Sequence, residues 1–315
     1  MFHKTIGKSN YANVLFFIAL FLLYDCRMKP KKLLGQHFLK SLEVVQKIVE
    51  TAGVSEKDTI LEVGPGRGVL TKALLERAGK VIAVEKDEQL RPFLENLFQK
   101  EIKQGTLELV FGDILQFAKE EPSREGSSFA NYKVVANIPY YITGELLRLF
   151  LSGDFQPQSM TLLVQKEVAE RVVAQDRKES ILSISVKAYG IPTYIQTVLA
   201  SEFLPPPKVD SAILHINHIS KDFFNPLGDA IPKLVNDVHQ IEERFFKLVK
   251  TGFSHKRKLL VGNLKHEYIG LPNVKQALHE CLISEQVRAE NVSIDEWKCL
   301  LQRTQSLKLN NDDTG

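Results

Sequence analysis

A chain of 315 residues with 44% hydrophobic and 25% charged side chains has an ordinary globular composition and is long enough for two domains. A net charge of +3 is too mild to imply a nucleic-acid partner by itself, so the placement of the charge must decide. The three cysteines, Cys26, Cys281 and Cys299, show neither metal-ligand spacing nor a disulfide framework, which fits a reducing cytosol.

Residues 1–27 are read apart from the fold. "YANVLFFIALFLLY" (Tyr11 to Tyr24) is apolar and follows Lys4 and Lys8. It is short of the roughly 20 apolar residues of a spanning helix, and no small-x-small cleavage site follows it. The expectation is an upstream extension, with the working protein starting at Met28; a membrane anchor is the alternative.

From Met28 the pattern alternates. "TILEV" (Thr59 to Val63) reads as a strand, and "GVLTKALLERAG" (Gly68 to Gly79) as a helix stopped by Gly79. "KVIAVE" (Lys80 to Glu85) is a strand, "EQLRPFLENLFQK" a helix and "LELVFGD" (Leu107 to Asp113) a strand. A polar loop, "EEPSREGSSFANY", precedes the strand "KVVAN" and the helix "TGELLRLFLSG". "MTLLVQ" and "KEVAERVVAQ" repeat the alternation, which implies βαβ units and a mostly parallel sheet. "YIQTVLA" and "VDSAILHI" have no helix between them and are expected to pair antiparallel at one edge. After about Ile219 only helices follow, at 229–251, 254–265, 273–282 and 293–304. The expected domains are 28–218, an α/β Rossmann-like sheet, and 219–315, all-α.

Glu62-Val63-Gly64-Pro65-Gly66-Arg67-Gly68 joins the first of these strands to its helix. Glycines let the backbone turn sharply and approach a ligand. The G-x-G-x-G spacing, with an acid two positions ahead, is more typical of S-adenosylmethionine sites than the dinucleotide G-x-G-x-x-G. Glu85 ends the next strand, where a carboxylate can accept both ribose hydroxyls. Asp113, at the third strand end, could take an adenine amino group.

Asn137-Ile138-Pro139-Tyr140 leaves the fourth strand into the same crevice. An exocyclic amine on a nucleobase is a poor nucleophile because its lone pair is delocalised. The Asn137 side-chain oxygen and the carbonyl of Ile138 or Pro139 could accept its two N–H bonds and turn it toward tetrahedral geometry. Pro139 stiffens the turn, and Tyr140 offers a face on which a flipped or looped base can stack. A neutral nucleophile and a cationic methyl donor need no strong base, so catalysis here is orientation and preorganised polarity.

These segments resemble the ribosomal RNA adenine N6-dimethyltransferase family, which includes the bacterial small-subunit dimethyltransferase. The likeness runs from Lys29 to about Arg303 through "LGQHFL", "EVGPGRGVLT", "NIPYYIT", "FLPPPKVDSAIL" and "HKRKLL", in that order. It implies an S-adenosylmethionine-dependent enzyme working on small-subunit rRNA in a maturing subunit. The residues themselves add the expectations of a cytoplasmic chain without a metal or a stable membrane partner, and of a monomer, since no coiled coil or long apolar helix face demands a dimer. It places donor contacts on His37, Leu39, Gly64, Glu85, Asp113 and Asn137, to which the loop reading adds Gly66. It places the base site on Asn137, Pro139, Tyr140 and Phe203. The reaction implied is dimethylation at N6 of two adjacent adenines in a hairpin loop near the 3′ end of that RNA. Two positions depart from the family: His37 and Tyr141 stand where Asn is frequent.

Between Arg244 and Lys265 lie seven basic residues and no acidic one. Ile241, Phe245, Leu248 and Val249 share one helical face, and Arg244, Lys247 and Lys250 another. Lys256, Arg257 and Lys258 follow Ser254 and are read as a helix start, where a bound phosphate would offset the unfavourable dipole. Arg244, Lys247, Lys256, Arg257 and Lys258 are therefore the expected RNA contacts, with a second basic stretch at Lys29, Lys31, Lys32 and Lys40. His215 and His218 read as packing or surface residues and Trp297 as a core anchor. Three other readings share parts of this pattern: a large-subunit rRNA methyltransferase of the macrolide-resistance type, a non-catalytic rRNA-binding assembly factor, and a DNA or protein-glutamine N-methyltransferase.

Overall fold

The structure is a computed structural model that describes residues 36–120, 131–225, 238–267 and 274–309. The N-terminal extension, Lys29, Lys31, Lys32, most of the polar loop, and the start of the segment expected at 229–251 lie outside the described residues.

The elements follow the alternation. They are β1 (Phe38–Leu39), α1 (Leu42–Thr51), β2 (Thr59–Val63), α2 (Val69–Leu75), β3 (Lys80–Glu85), α3 (Arg91–Leu97), α4 (Gln99–Gln104) and β4 (Leu107–Phe111). Next come α5 (Ile114–Glu120), β5 (Tyr132–Asn137), α6 (Thr143–Ser152), β6 (Ser159–Gln165), α7 (Lys166–Val173) and α8 (Ile181–Lys187). Three strands then follow without an α-helix: β7 (Ile191–Val198), β8 (Phe203–Leu204) and β9 (Ser211–Asn217). The last described elements are α9 (Val238–Gly252), α10 (Leu260–Glu267), α11 (Val274–Glu280) and α12 (Ile294–Leu309).

One sheet has the order β4-β3-β2-β5-β6-β9-β7. It is parallel from β4 to β6, and β9 then runs antiparallel to both β6 and β7. The expected antiparallel edge is therefore present, with β7 outermost. The central strands are buried on both faces, which is why they read as near-continuous apolar runs. Leu61, Val63, Ile82, Val134 and Leu162 face α6, α7 and α8. Ile60, Val81, Ala83, Val135 and Leu163 face α1, α2 and α3. Burying each such side chain contributes about 1.5–3 kcal/mol before chain entropy is counted.

The core of the first face continues into the last helices. Tyr189, at the end of α8, packs on Phe224 and Phe246, and its hydroxyl donates to buried Glu242 of α9. Ile241, Phe245, Leu248 and Val249 are buried as their spacing implied, and Trp297 is fully buried against Phe253.

Three expectations are corrected. Cys281 and Cys299 are joined by a disulfide, because α11 and α12 pack so that two residues 18 apart in sequence come to a Cα–Cα distance of 5.7 Å. That spacing carries no signature in the sequence. The helix α2 stops at Leu75, before Gly79. Gly79 is instead a close-approach position, where a Cβ would meet the Glu56 carbonyl oxygen at 2.2 Å. Finally, α10 starts at Leu260, so Lys256, Arg257 and Lys258 occupy the turn before it rather than a helix start. Asn263 holds that turn by donating to the carbonyls of Gly252 and His255. The structure also adds helices that the sequence reading does not include: α1, α5 and α8.

Candidate active site

In an open parallel sheet a crevice forms where the strand order reverses, outside the strands' carboxyl ends. Here that point lies between β2 and β5, which are paired in register with Val63 opposite Ala136. The next residues along are Gly64 and Asn137. The glycine loop and the Asn-Ile-Pro-Tyr turn therefore leave the sheet side by side.

The loop needs its glycines for different reasons. Gly64, Gly66 and Gly68 all have positive φ, at 68°, 56° and 78°. At Gly66 a Cβ would also lie 3.1 Å from Phe38. The loop is pinned by Gly64 N–H donating to the Val84 carbonyl at 2.9 Å and Gly68 N–H to that of Pro65 at 2.8 Å. Glu85, buried at the end of β3, accepts from Gly66 N–H at 3.0 Å and from Asp87 N–H at 2.8 Å. Burial raises its pKa above the ordinary carboxylate value, against those two bonds.

A cavity at this crevice is walled by Gln36, His37, Phe38 and Leu39, by Glu62 to Leu70 in part, and by Glu85 and Asn137 to Tyr140. The first four residues form a strap over the loop. Phe38 and Leu39 pair antiparallel with Leu204 and Phe203, and Lys40 N–H donates to the Glu202 carbonyl. The His37 ring donates from Nδ1 to the Pro205 carbonyl at 2.8 Å, since a carbonyl can only accept. Gln36 donates to Asp87 at 3.0 Å, and the Arg67 guanidinium lies over the Phe38 ring at 4.7 Å.

Asn137 donates its side-chain N–H to the His37 carbonyl at 3.1 Å. That partner fixes the amide orientation and makes Oδ1 an acceptor for the cavity that Asn137 lines. The Pro139 carbonyl already accepts from Ile142 N–H at 3.1 Å. Tyr140 is half-buried, shares a 2.7 Å hydrogen bond with Ser211, and stands 6.0 Å from the His37 ring in near-parallel planes.

The cavity thus gathers His37, Leu39, Gly64, Gly66, Glu85, Asn137, Pro139 and Tyr140. Two expected members stand apart. Phe203 is buried in β8 behind the strap, paired with Leu39, and is not in the wall. Asp113 is not in the wall either: it caps α5 at Leu115 N–H and pairs with Lys86 at 2.7 Å, which holds its carboxyl below the ordinary value. Gln36, Phe38, Arg67 and Ser211 were missed. The first two sit inside "LGQHFL", so contiguity with His37 was the available signal.

A larger groove of about 1190 Å³ runs between the sheet's helices and α9. Its walls include Arg148, Arg171, Lys247, Lys250 and Lys256, with Glu179, Glu242 and Glu290 among them. Tyr140 lines both this groove and the smaller cavity. Arg244, Arg257 and Lys258 do not line it. Among the described residues no helix is long and apolar enough to cross a membrane.

The sequence model of the family described as ribosomal RNA adenine dimethylase matches residues 27–306. A protein of Dehalococcoides mccartyi named ribosomal RNA small subunit methyltransferase A is 40% identical over 87% of this chain and 88% of its own length. One of the same name from Fusobacterium nucleatum is 37% identical over 85% and 95%. Among solved structures, a dimethyladenosine transferase from Plasmodium falciparum aligns with a TM-score of 0.67 at 26% identity, over 86% of this chain and 98% of that one. The 23S rRNA methyltransferase ErmE aligns with a TM-score of 0.65 at 25% identity, over 84% and 98%.

Proposed function

Because this chain belongs to the ribosomal RNA adenine dimethylase family, we propose that it dimethylates N6 of two adjacent adenines in a hairpin loop near the 3′ end of small-subunit rRNA, in a maturing subunit. The observation that carries the reading is the oriented Asn137 amide, which offers an acceptor beside the glycine cradle in a cavity that Tyr140 joins to a groove bearing Lys247, Lys250 and Lys256.

The cavity suits S-adenosylmethionine. Its glycine loop lies so close under the strap that a Cβ at Gly66 would meet the Phe38 ring at 3.1 Å, and buried Glu85 stands at the strand end where ribose hydroxyls are accepted. When bound, that donor supplies an electrophilic methyl on a sulfonium. Gly64 and Gly66 let the backbone approach it, Glu85 holds the ribose, and His37 and Leu39 cover it from the strap. Asp113 takes the adenine amino group once its pairing with Lys86 loosens.

The target base enters from the groove and stacks on Tyr140, worth ~1–3 kcal/mol. The Tyr140–Ser211 hydrogen bond holds that ring in place. Asn137 Oδ1 accepts one N6–H, and the carbonyl of Ile138 or Pro139 accepts the other, that of Pro139 with the lone pair left over from its bond to Ile142 N–H. The two acceptors turn the nitrogen lone pair toward the methyl; the N–C bond would form as the S–C bond breaks, and the surplus N6 proton would pass to solvent, with the cavity's fixed dipoles needing no rearrangement. Lys247 and Lys256 bind the RNA backbone beside the entry, with Arg244, Arg257 and Lys258 adding charge outside it.

Labelled donor incubated with unmethylated small and large ribosomal subunits tests this. The expected product is N6,N6-dimethyladenosine in small-subunit RNA at two adjacent positions, lost in Asn137→Ala. Label in large-subunit RNA would move the protein to the resistance type. Donor binding with no label in either RNA would favour an assembly factor.

A further inference from the structure

Glu62 is the one carboxylate in the cavity wall to which the reading above gives no task. It lies on β2, on the face it shares with Ile60 and toward Thr71 of α2, and it lines the cavity wall beside the glycine loop. It is 1% exposed. Among the described residues, neither of its oxygens has a hydrogen-bond partner. The Thr71 hydroxyl of α2 is close enough to moderate its charge, but makes no hydrogen bond of ordinary geometry.

An ionised carboxylate buried without a partner costs several kcal/mol, so such a group keeps its proton or awaits a cation. The surroundings favour the proton in the free enzyme. Burial is the main cause and the negative charge of Glu85 on β3 the lesser, and together they raise the Glu62 pKa to about 8. Asp87, just beyond β3, adds a further acidic group beside Glu85. Among the described residues, the basic side chains lining this region are Arg67, drawn over Phe38, and His37, which is tied to Pro205.

A methyl donor and its product differ in charge at this cavity. The sulfonium gives S-adenosylmethionine one more positive charge than the thioether left after transfer. In a low-dielectric site that difference is strongly felt.

We propose that Glu62 is a charge sensor for the donor: it loses its proton to solvent when the cationic donor binds, and regains one when the neutral thioether product is left. The inference rests on the methyl-transfer reading and deepens it. It gives the cavity a means of preferring substrate over product without a contact to the methyl group itself. Glu62 acts here as a positioning and discriminating group and takes no part in bond making. The proton comes off the Glu62 carboxyl, passes to the buffer and leaves a carboxylate opposite the cation, so charge in the site is balanced in both states.

The test is calorimetry of ligand binding in two buffers of different ionisation heat, from pH 6 to 9. The ligands are S-adenosylmethionine, S-adenosylhomocysteine, and an unreactive analogue with an ammonium in place of the sulfonium. Wild type is expected to release ~0.9 proton at pH 7 with either cationic ligand, fading as pH passes 8 because the free carboxyl then ionises unaided. Donor affinity should rise nearly tenfold per pH unit below pH ~8 and then level off. Homocysteine-ligand binding should release little and stay flat with pH. In Glu62→Gln the release should vanish and the donor-to-product affinity ratio fall about tenfold or more.

Donor binding in wild type without proton release, or equal release with the neutral product, would overturn the proposal while leaving methyl transfer intact. Absence of any donor binding would overturn the methyl-transfer reading and this one with it. The wild-type series decides the matter even where the variant folds poorly.

Discussion

The side-chain amide of Asn137 donates to the backbone carbonyl of His37 across 100 residues of sequence. One bond ties the Asn-Ile-Pro-Tyr turn to the strap over the cavity and decides which end of the amide faces that cavity. Removing the amide should therefore act twice. Asn137→Ala is expected to lower the methylation rate at least ~10²-fold, the scale of losing one preorganised polar contact. Donor affinity should fall by less, about tenfold at most, because the strap keeps its β1–β8 pairing. Single-turnover methylation beside donor calorimetry separates the two; equal losses in both would show that the amide serves only the donor.

Glu62 also predicts how stability varies with pH. Its carboxyl titrates near the ordinary 4.5 in the unfolded chain and at about 8 in the fold, so the folded state holds the extra proton between those values. Stability from this group is full below about pH 4.5 and is lost as pH rises through 8. The melting temperature of wild type should fall between pH 6 and 9 more steeply than that of Glu62→Gln. Parallel melting curves would mean that the carboxyl is ionised throughout.

Two glycines of the loop should fail differently. At Gly68 a Cβ would lie 2.6 Å from the Phe98 ring at a φ of 78°, so Gly68→Ala is expected to cost about 1–3 kcal/mol of stability. At Gly66 the obstacle is the Phe38 ring of the strap, at 3.1 Å. Gly66→Ala should displace the strap and weaken donor binding about tenfold, with a smaller loss of stability. Chemical denaturation and donor titration on both variants read the contrast.

The groove gives an order to the basic residues. Lys247, Lys250 and Lys256 line it, whereas Arg257 and Lys258 do not. Charge reversal at each of the first three should weaken RNA binding at low salt and reduce the slope of log affinity against log salt by roughly 0.7–0.9. Reversal at Arg257 or Lys258 should do less. Equal effects at all five would place the RNA across the turn rather than in the groove.

The glycine loop, Glu85, Asn137, Pro139 and Tyr140 were legible because strand ends and tight turns are local. A run such as "KVVAN" followed by Ile-Pro-Tyr states its own strand, its exit and its exposed ring within a few residues. Asp113 reads as a site residue from its place at a strand end, and Phe203 only from the resemblance. The fold gives Asp113 to Lys86 and buries Phe203 behind the strap, and neither pairing could be read locally. The basic turn at Lys256 to Lys258 reads locally as a helix start because Ser254 resembles an N-cap. Asn263, on the next helix, is what makes it a turn.

By itself the sequence determined the order of strands and helices, the antiparallel edge, and the chemistry offered at each strand end. These follow from apolar periodicity and from residue types whose backbone limits are intrinsic. Only the tertiary structure decided what faces what: the His37 carbonyl that orients Asn137, the Phe38 ring that closes on Gly66, the joining of Cys281 to Cys299, and the burial of Glu62 beside Glu85. Those relationships depend on segments brought together by packing, and a carboxylate's charge depends on the water that packing removes.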